Sequence, residues 1–374
     1  MSQKFLCSAA YRDFSISAIY RMSDEDVHML FCRLRWGSQT HQACPHCGTW
    51  DRHYVRRLRN QWRCKACRRD FSVTSVTMFA NHRKPLRDIL LLAFLLVTGK
   101  KSMAGLHVSR LSDYSPKGAN VVLGKFREGL MRSQDLRPLT GIVHIDGAYF
   151  CGKPRKPNRR GRRNNRLIAD RIAGRATGRQ QPWHATGTTR ANWEKRMKNR
   201  RVVMVLCQTG QRGEGAVRSI AVVAPAENEA VATELIRRYV SPDAIIMTDE
   251  SPAYANASAT HEHYTVNHQK EWVTPEGVNE NQAEAFHTGL RRWEYGVSHG
   301  ARPRYLADVL CEFVWRSNSK KNTLWQQIES LLTKALTTGY SRWWRGYYQG
   351  KHRGTEIIMN EGLDQSVRSV GNIQ

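Results

Sequence analysis

The chain has 374 residues and carries 59 Lys and Arg against 32 Asp and Glu, which gives a formal net charge of +27 and a pI of about 10.2. Hydrophobic residues make up 40% of the sequence, which excludes a wholly disordered protein because enough apolar surface exists to offset chain entropy. At roughly 100 to 200 residues per domain, we expect two or three folded units. The excess of positive charge predicts a polyanionic partner, for which nucleic acid is the usual candidate.

The sequence contains no segment that predicts membrane insertion or export. Its longest apolar run, residues 89–97, is far shorter than the ~20 residues that cross a bilayer. The N-terminal stretch MSQKFLCSAAYRDFS lacks the apolar core of a signal peptide. We therefore expect a cytoplasmic, nucleoid-associated protein without membrane contact, whose nine cysteines do not form a disulfide scaffold.

The first 135 residues predict three small units in succession. Residues 1–40 form an N-terminal helical segment, because Ser23 begins a Ser-x-x-Asp capping pattern before an amphipathic stretch. Residues 41–80 contain two Cys-x-x-Cys pairs. Residues 81–135 contain an apolar helix at 86–98 and shorter helical periods after it, which fit a helix-turn-helix DNA-binding region. A plain helical linker fits the same pattern.

Four cysteines in two pairs predict a structural zinc site. Cys44 and Cys47 are separated from Cys64 and Cys67 by 16 residues, a spacing that lets four thiolates close a tetrahedron around one Zn²⁺. Four unrelated thiols or a redox pair are the alternative. Basic side chains surround the cysteines and predict contact with phosphates, although a merely solvated basic face would look the same. We select Arg56, Arg57, Arg63, Arg68 and Arg69 as DNA-binding candidates.

From residue 140 to 350 the pattern changes to an α/β domain. Three strands are predicted at 141–150, 202–210 and 219–225, then a helix at 228–240, a strand at 243–249 and a helical region from 281. This order predicts a mixed sheet flanked by helices. Residues 351–374 are predicted to be a disordered tail.

A strongly basic insertion interrupts the α/β domain at residues 153–201. It contains 17 Lys and Arg against two acids within 49 residues, and it has no apolar period. It either clamps DNA or is a permissive loop. Its DNA-binding candidates are Arg159, Arg160, Arg162 and Arg163.

Three acidic residues predict a site for divalent metal. Asp146 follows an apolar run and would lie at or near the centre of a buried strand, where a lone carboxylate is costly unless it binds a cation or accepts strong hydrogen bonds, and Asp249 ends a second strand. Glu284 shares a helical face with Asn281, so it can face the same site. Carboxylate oxygens suit Mg²⁺. Each acid alone has an ordinary structural explanation, and only their joint order favours metal-dependent phosphoryl transfer.

These segments resemble the DDE-type transposases of bacterial insertion sequences that carry an N-terminal zinc ribbon. The resemblance covers most of the chain, through RLRWG and CPHCG, WRCKACRRDFSVTSVTMF, HIDGAYFCGK, MTDESPAY, VNHQKEWV, NENQAEAFHTGLRRWEYG and CEFVWRSN. It implies an RNase H-like catalytic domain, two Mg²⁺ or Mn²⁺ ions in each active site, and the cutting and joining of DNA ends. It also implies double-stranded DNA, as element ends and as target, for a partner, and a homo-oligomer on that DNA.

The same resemblance assigns roles to single residues. Asp146, Asp249 and Glu284 match the three catalytic, metal-binding acids. Asn281 and His268 match recurrent positions and are candidate accessory residues, although an ordinary surface histidine explains His268 equally well. Other acids compete with Glu284 for the third place, namely Glu250, Glu276 and Glu280.

Two other functions fit the sequence less closely. A zinc-ribbon DNA-binding regulator would bind without cutting, and an RNase H-fold nuclease would hydrolyse DNA without joining it. The intact acidic set argues against the first of these alternatives.

Overall fold

The computed structural model describes residues 3–152, 197–211, 214–266, 279, 281–298 and 300–361. Its strands are β1 (His53–Arg56), β2 (Gln61–Cys64), β3 (Asp70–Ser72), β4 (Ile142–Cys151), β5 (Arg200–Thr209), β6 (Ala216–Ala224), β7 (Ile245–Asp249) and β8 (Glu262–Val266). Its helices are α1 (Gln3–Leu6), α2 (Ile16–Arg21), α3 (Asp24–Trp36), α4 (Leu86–Thr98), α5 (Gly105–Arg110), α6 (Pro116–Arg132), α7 (Glu229–Tyr239), α8 (Asn281–Trp293), α9 (Leu306–Asn318) and α10 (Leu324–Thr337). Within these ranges, every helix is too short or too polar to span a bilayer.

Five strands form the mixed sheet of the α/β domain, in the order β6-β5-β4-β7-β8. β5 pairs antiparallel with both β6 and β4. β7 pairs parallel with both β4 and β8. The predicted fold class, a mixed sheet flanked by helices, is therefore confirmed, and every predicted strand and helix of this region is present. The sequence reading missed β8, whose mostly exposed residues lack an apolar alternation.

Helices cover both faces of this sheet. One face packs on α8 and α9 through side chains such as Phe150, Leu290 and Leu310. The opposite face packs on α7 through Ile145, Leu235 and others. On each face of the sheet, the core is formed by apolar side chains from alternating positions along the strands. β4 is therefore packed on both faces, which fixes the direction of each of its side chains.

The zinc-ribbon segment and α3 form one packed unit rather than two. Strands β1, β2 and β3 make an antiparallel sheet, on which Trp62 and Phe71 stack with ring centroids 5.6 Å apart. Trp36 at the end of α3 meets Trp62 edge-on at 5.4 Å. Arg35 donates hydrogen bonds to the backbone carbonyls of Ser72 and Val73 at 3.0 and 2.7 Å. The predicted capping box at the start of α3 is also present.

The helical region after the ribbon contains α4, α5 and α6 where helices were predicted. The helix α6 is central to the protein, since 11 of its 17 residues are buried against α4, α9 and α10. A recognition helix needs an open face for the major groove, and α6 presents little of one. A DNA-binding role for residues 81–135 therefore stays a prediction.

The C-terminal segment corrects the prediction of a disordered tail for residues 351–361. Met359 donates its backbone N–H to the carbonyl of Val223 on the edge strand β6 at 2.9 Å. Glu356 pairs with Arg201, and Arg353 forms a buried ion pair with Asp308. The sequence signal was misleading because these anchors are scattered charged and apolar residues without a helical or strand period. Residues 362–374 of that prediction lie outside the described part, as do residues 153–196 of the basic insertion.

A buried ion cluster joins the helical region to the α/β domain. The carboxylate of Glu312 on α9 is fully buried and binds Arg127 of α6 at 2.9 Å, Arg316 at 2.8 Å and the hydroxyl of Ser102 at 2.9 Å. Burial opposes ionisation of Glu312, yet the two arginines hold its pKa below the usual value. Arg316 also donates to the carbonyl of Val97 at the end of α4. One carboxylate thus connects α4, α6 and α9.

We expect Glu312→Gln to destabilise the protein by about 3–5 kcal/mol, because it leaves two buried guanidinium groups without their counter-charge. Urea unfolding followed by circular dichroism measures this change. Glu234 is the matched control, since it also binds two arginines, Arg237 and Arg238, but at the surface. Glu234→Gln should cost less than about 1 kcal/mol. Equal effects of the two substitutions would contradict a special role for the buried cluster.

Candidate active site and zinc site

The four predicted zinc ligands converge in the ribbon. The ligand atoms of Cys44, Cys47, Cys64 and Cys67 all lie within 4.8 Å of one another. The Sγ atoms of Cys44 and Cys67 are 3.7 Å apart, and those of Cys47 and Cys64 are 3.6 Å apart. A tetrahedral Zn²⁺ with sulfur ligands at about 2.3 Å requires sulfur–sulfur separations close to these values. The residues therefore fit a structural zinc ion.

The two cysteine turns have the same backbone geometry. The N–H of Gly48 donates to the carbonyl of Cys44 at 2.9 Å, and the N–H of Arg68 donates to that of Cys64 at 3.0 Å. Both residues after the second cysteine adopt positive φ, 77° at Gly48 and 58° at Arg68. At each Cys-x-x-Cys pair, this conformation turns the backbone sharply enough to direct two thiolates towards one point.

The predicted DNA-binding arginines of the ribbon differ in availability. Arg57, Arg63, Arg68 and Arg69 are exposed, whereas Arg56 forms a salt bridge with Asp70 at 3.1 Å. These four exposed arginines offer charge to a phosphate backbone without first breaking an ion pair recorded in the described residues. Arg159, Arg160, Arg162 and Arg163 lie outside the described residues.

Asp146 and Asp249 occupy equivalent positions on adjacent parallel strands. The last paired residues of β4 and β7 are His144 and Met247, and each aspartate lies two residues beyond its paired position. Because side chains alternate along a strand, both aspartates lie on the face that carries His144 and Met247. Asp249 is the last residue of β7, and Asp146 lies level with it in the middle of β4, which continues to Cys151, so the two acids stand side by side. The Asp146 carboxylate is 16% exposed, so solvent reaches it.

Glu284 lies in the first turn of α8, the helix that crosses the same face of β4. Its neighbour one turn later, His287, contacts Asp146. Residues three apart lie on neighbouring parts of a helix surface, so Glu284 is on the side of α8 that borders the Asp146 strand. Asn281 begins the same helix. The predicted accessory residue His268 lies outside the described part, as do the competing acids Glu276 and Glu280.

The three acids do not form a tight cluster. Within the residues that the structure describes, the four cysteines are the one group of three or more potential ligands whose atoms all lie within 4.8 Å. Two metal ions about 4 Å apart need their carboxylates spread around them, so a wider arrangement agrees with that chemistry. Carboxylate oxygens at the ends of parallel strands are ligands that suit Mg²⁺ or Mn²⁺.

A further acid, Glu227, approaches the same edge of the sheet. It follows β6, which runs in the same direction as β4 and β7, so all three strands end at one edge. A Cβ atom on Gly147 would lie 2.6 Å from the Glu227 carboxyl carbon, so a side chain at residue 147 would displace this acid. Burial raises the pKa of Glu227, and the negative charge of Asp249 raises it further. Glu227 thus lies close enough to Asp249 to respond to its charge, and both effects favour the neutral form of Glu227.

His287 is the buried polar neighbour of Asp146. Its Nε2 lies 3.3 Å from the backbone carbonyl oxygen of Asp146 and 3.5 Å from the carboxylate Oδ2. Burial lowers the pKa of His287 to about 4, so the ring is neutral at pH 7. Arg291, one turn later on α8, donates to the carbonyl of Tyr149 at 3.4 Å and contributes to the same lowering.

Sequence reasoning missed Glu227, His287 and Arg291. Glu227 could have been found as an acid directly after the third strand, had the direction of that strand been known. His287 and Arg291 stand three and seven residues after Glu284, a spacing that keeps them near one helical face. The sequence analysis selected only acidic residues on this helix as metal ligands, so it predicted a role for neither His287 nor Arg291.

Two protein-family models match parts of the chain. A family model described as an ISXO2-like transposase domain matches residues 138–318, the segment from the approach to β4 through α9. A second, described as a transposase zinc-ribbon domain, matches residues 22–70, which span α3 and most of the ribbon. No curated protein matches the chain significantly. The chain belongs to the DDE-type insertion-sequence transposases that carry an N-terminal zinc ribbon.

Proposed function

We propose that the protein binds the terminal inverted repeats of an insertion sequence and catalyses Mg²⁺-dependent cleavage and strand transfer of the DNA ends. The observation that carries this proposal is the equivalent register of Asp146, in the middle of β4, and Asp249, at the end of β7. Family membership makes the chain a nucleic-acid-processing enzyme that binds DNA. We add to this the binding of the terminal inverted repeats and the dependence of the reaction on Mg²⁺.

Asp146, Asp249 and Glu284 would hold the divalent cations. When bound, Mg²⁺ or Mn²⁺ supplies activation of the attacking oxygen and stabilisation of the leaving 3′ oxygen. The three carboxylates would provide the negative charge that keeps two such ions together. The reaction then needs neither a protein nucleophile nor ATP, because water attacks first and the released 3′ hydroxyl attacks second.

Basic residues would hold the DNA beside these acids. The exposed arginines of the ribbon are available to the element end, and the segment 153–201, whose last two residues belong to β5, carries a net charge of +15 within the catalytic domain. Phosphate contacts of this kind position DNA without reading its sequence. Arg291 lies two turns after Glu284 on α8 and is available to a phosphate near the acids. Pairing two element ends would require at least two copies of the protein on DNA.

The catalytic proposal predicts that Asp146→Asn and Asp249→Asn each lower the rate of end nicking by at least about a thousandfold, because each removes a charged metal ligand. Binding of a labelled end, measured by fluorescence anisotropy, should stay within about threefold of the wild type because phosphate contacts are untouched. Glu284→Gln should behave in the same way.

Glu250→Gln is the matched control, since Glu250 directly follows Asp249 but is exposed. It should nick and join DNA at nearly the wild-type rate. Normal nicking by Asp146→Asn would reject the proposed role of that acid. Wild-type protein that nicks without joining would favour the nuclease alternative, and binding without any cleavage would favour the regulator.

Loss of a zinc ligand should unfold the ribbon. We expect Cys44→Ser to lose its bound zinc and to weaken end binding by at least about tenfold, because structural zinc contributes folding energy directly. Metal analysis of the purified protein and anisotropy measure the two effects. Cys7→Ser is the control, since Cys7 is an exposed cysteine outside the cluster. A Cys44→Ser protein with full zinc content and normal binding would be incompatible with the proposed site.

Removal of the basic insertion should flatten the salt dependence of DNA binding. Each lost phosphate contact lowers the slope of log K against log salt by about 0.9 in magnitude. Replacement of residues 155–196 by a short Gly-Ser linker should therefore reduce the slope by several units, measured by anisotropy between low and moderate NaCl. A variant with the same residues in scrambled order keeps the charge and should keep the slope. An unchanged slope in the deletion would leave the insertion without a role in DNA binding.

A further inference from the structure

His287 is a buried histidine that the proposed chemistry does not use. Its side chain is 5% exposed and lies between α8 and β4, where its ring contacts Phe150 at 6.0 Å between centroids. A histidine in such a place is costly unless its polar atoms are used. One ring nitrogen faces Asp146, and the other, Nδ1, has no hydrogen-bond partner within the described residues.

The direction of the hydrogen bond follows from the acceptor. A backbone carbonyl oxygen only accepts, so Nε2, at 3.3 Å from the Asp146 carbonyl, carries the ring proton. The same N–H lies 3.5 Å from Oδ2 of the Asp146 carboxylate. It therefore faces both the main chain and the side chain of one residue. Such an arrangement restrains the backbone and the carboxylate together.

The position of His287 along α8 gives this contact a second effect. Glu284 lies one turn before His287 on the same helix, so a contact that sets His287 against Asp146 also sets the separation of Asp146 and Glu284. The contacts of α8 with β4 otherwise come mainly from apolar side chains such as Phe286 and Leu290, which tolerate small sliding movements. A directional N–H contact does not tolerate them. Metal ligands held by such neighbours bind metal more tightly.

We propose that His287 is a positioning residue for the metal centre, which acts by holding Asp146 in place and by fixing the distance between Asp146 and Glu284. It does not touch the metal or the DNA. This inference rests on the proposed function, because it assumes that Asp146 and Glu284 bind divalent cations. It adds to that centre a residue that is neither acidic nor exposed to solvent.

Two substitutions separate the hydrogen bond from the packing. His287→Gln keeps an N–H donor near the position of Nε2 but loses the ring, and His287→Phe keeps a ring but loses the donor. The affinity of the protein for Mn²⁺, measured by the loss of the free-ion electron paramagnetic resonance signal, reports on the metal centre without any catalysis. Asp146→Asn and Asp249→Asn establish which part of the Mn²⁺ binding belongs to this centre.

We expect His287→Phe to weaken Mn²⁺ binding about tenfold or more, the usual effect of removing a group that orients a metal ligand, and His287→Gln to stay within about threefold. His82→Phe is the matched control. His82 is a neutral, largely buried histidine that hydrogen-bonds Tyr114 at 2.7 Å, outside the catalytic sheet. Its substitution should lower the melting temperature and leave Mn²⁺ affinity unchanged.

The outcomes decide the proposal in each direction. Wild-type Mn²⁺ affinity in His287→Phe would overturn it, and so would an equal loss in His287→Phe and His287→Gln, because packing alone would then explain the effect. If the Phe variant does not fold, His287→Leu removes the donor with a smaller side chain and is judged by the same criteria. Wild-type protein that binds no Mn²⁺ at Asp146 and Asp249 would instead overturn the metal centre itself, and the role of His287 with it.

Discussion

The structure depends on a buried carboxylate that ties helices from distant parts of the chain to one another. Glu312 accepts contacts from Arg127 and Arg316 and a hydrogen bond from Ser102, so α6, α9 and the segment after α4 meet at one point. The helix that carries Glu312 also lies on the catalytic sheet, where the side-chain amide of Asn318 accepts from the backbone N–H of Ser219 on β6 at 2.7 Å and donates to its carbonyl at 3.1 Å. A buried ion pair has no large net benefit over apolar packing, but an incomplete one is strongly unfavourable. The cluster therefore specifies one arrangement of these helices on the sheet.

The arrangement of the helices affects the end of the sheet at which Asp146 and Asp249 lie. The sheet presents Asp146 and Asp249 through its own register, whereas Glu284 comes from a helix that must be set against β4 by side-chain contacts. The apolar contacts of α8 supply the packing energy, and the polar contacts at His287 and Arg291 supply direction. The sheet therefore supplies a rigid support for the two aspartates, and the packing of α8 decides where Glu284 lies relative to them.

Sequence reasoning predicted the strands, the helices and the cysteine cluster because each has a local signal. Short β-rich, apolar runs identified β4 through β7, and paired Cys-x-x-Cys turns identified the ribbon. It could not predict that α3 packs on the ribbon through Trp36 and Trp62, that α6 is buried, or that residues 351–361 return to the sheet, because those contacts join residues far apart in the chain. Of the site, the two aspartates were marked by their strands. His287 and Glu227 could not be selected from the sequence, because their positions depend on how α8 and β6 lie relative to β4.

The return of the C-terminal segment to β6 affects how shortened copies of the chain would behave. β6 is the outermost strand of the sheet on one side, and the N–H of Met359 occupies a carbonyl there that would otherwise face solvent. A premature stop near residue 350 would uncover this strand and leave the Arg201 and Asp308 charges without their partners. Uncovered strands recruit other chains. Truncated products would therefore tend to self-associate or be degraded, rather than persist as competitors that occupy DNA ends.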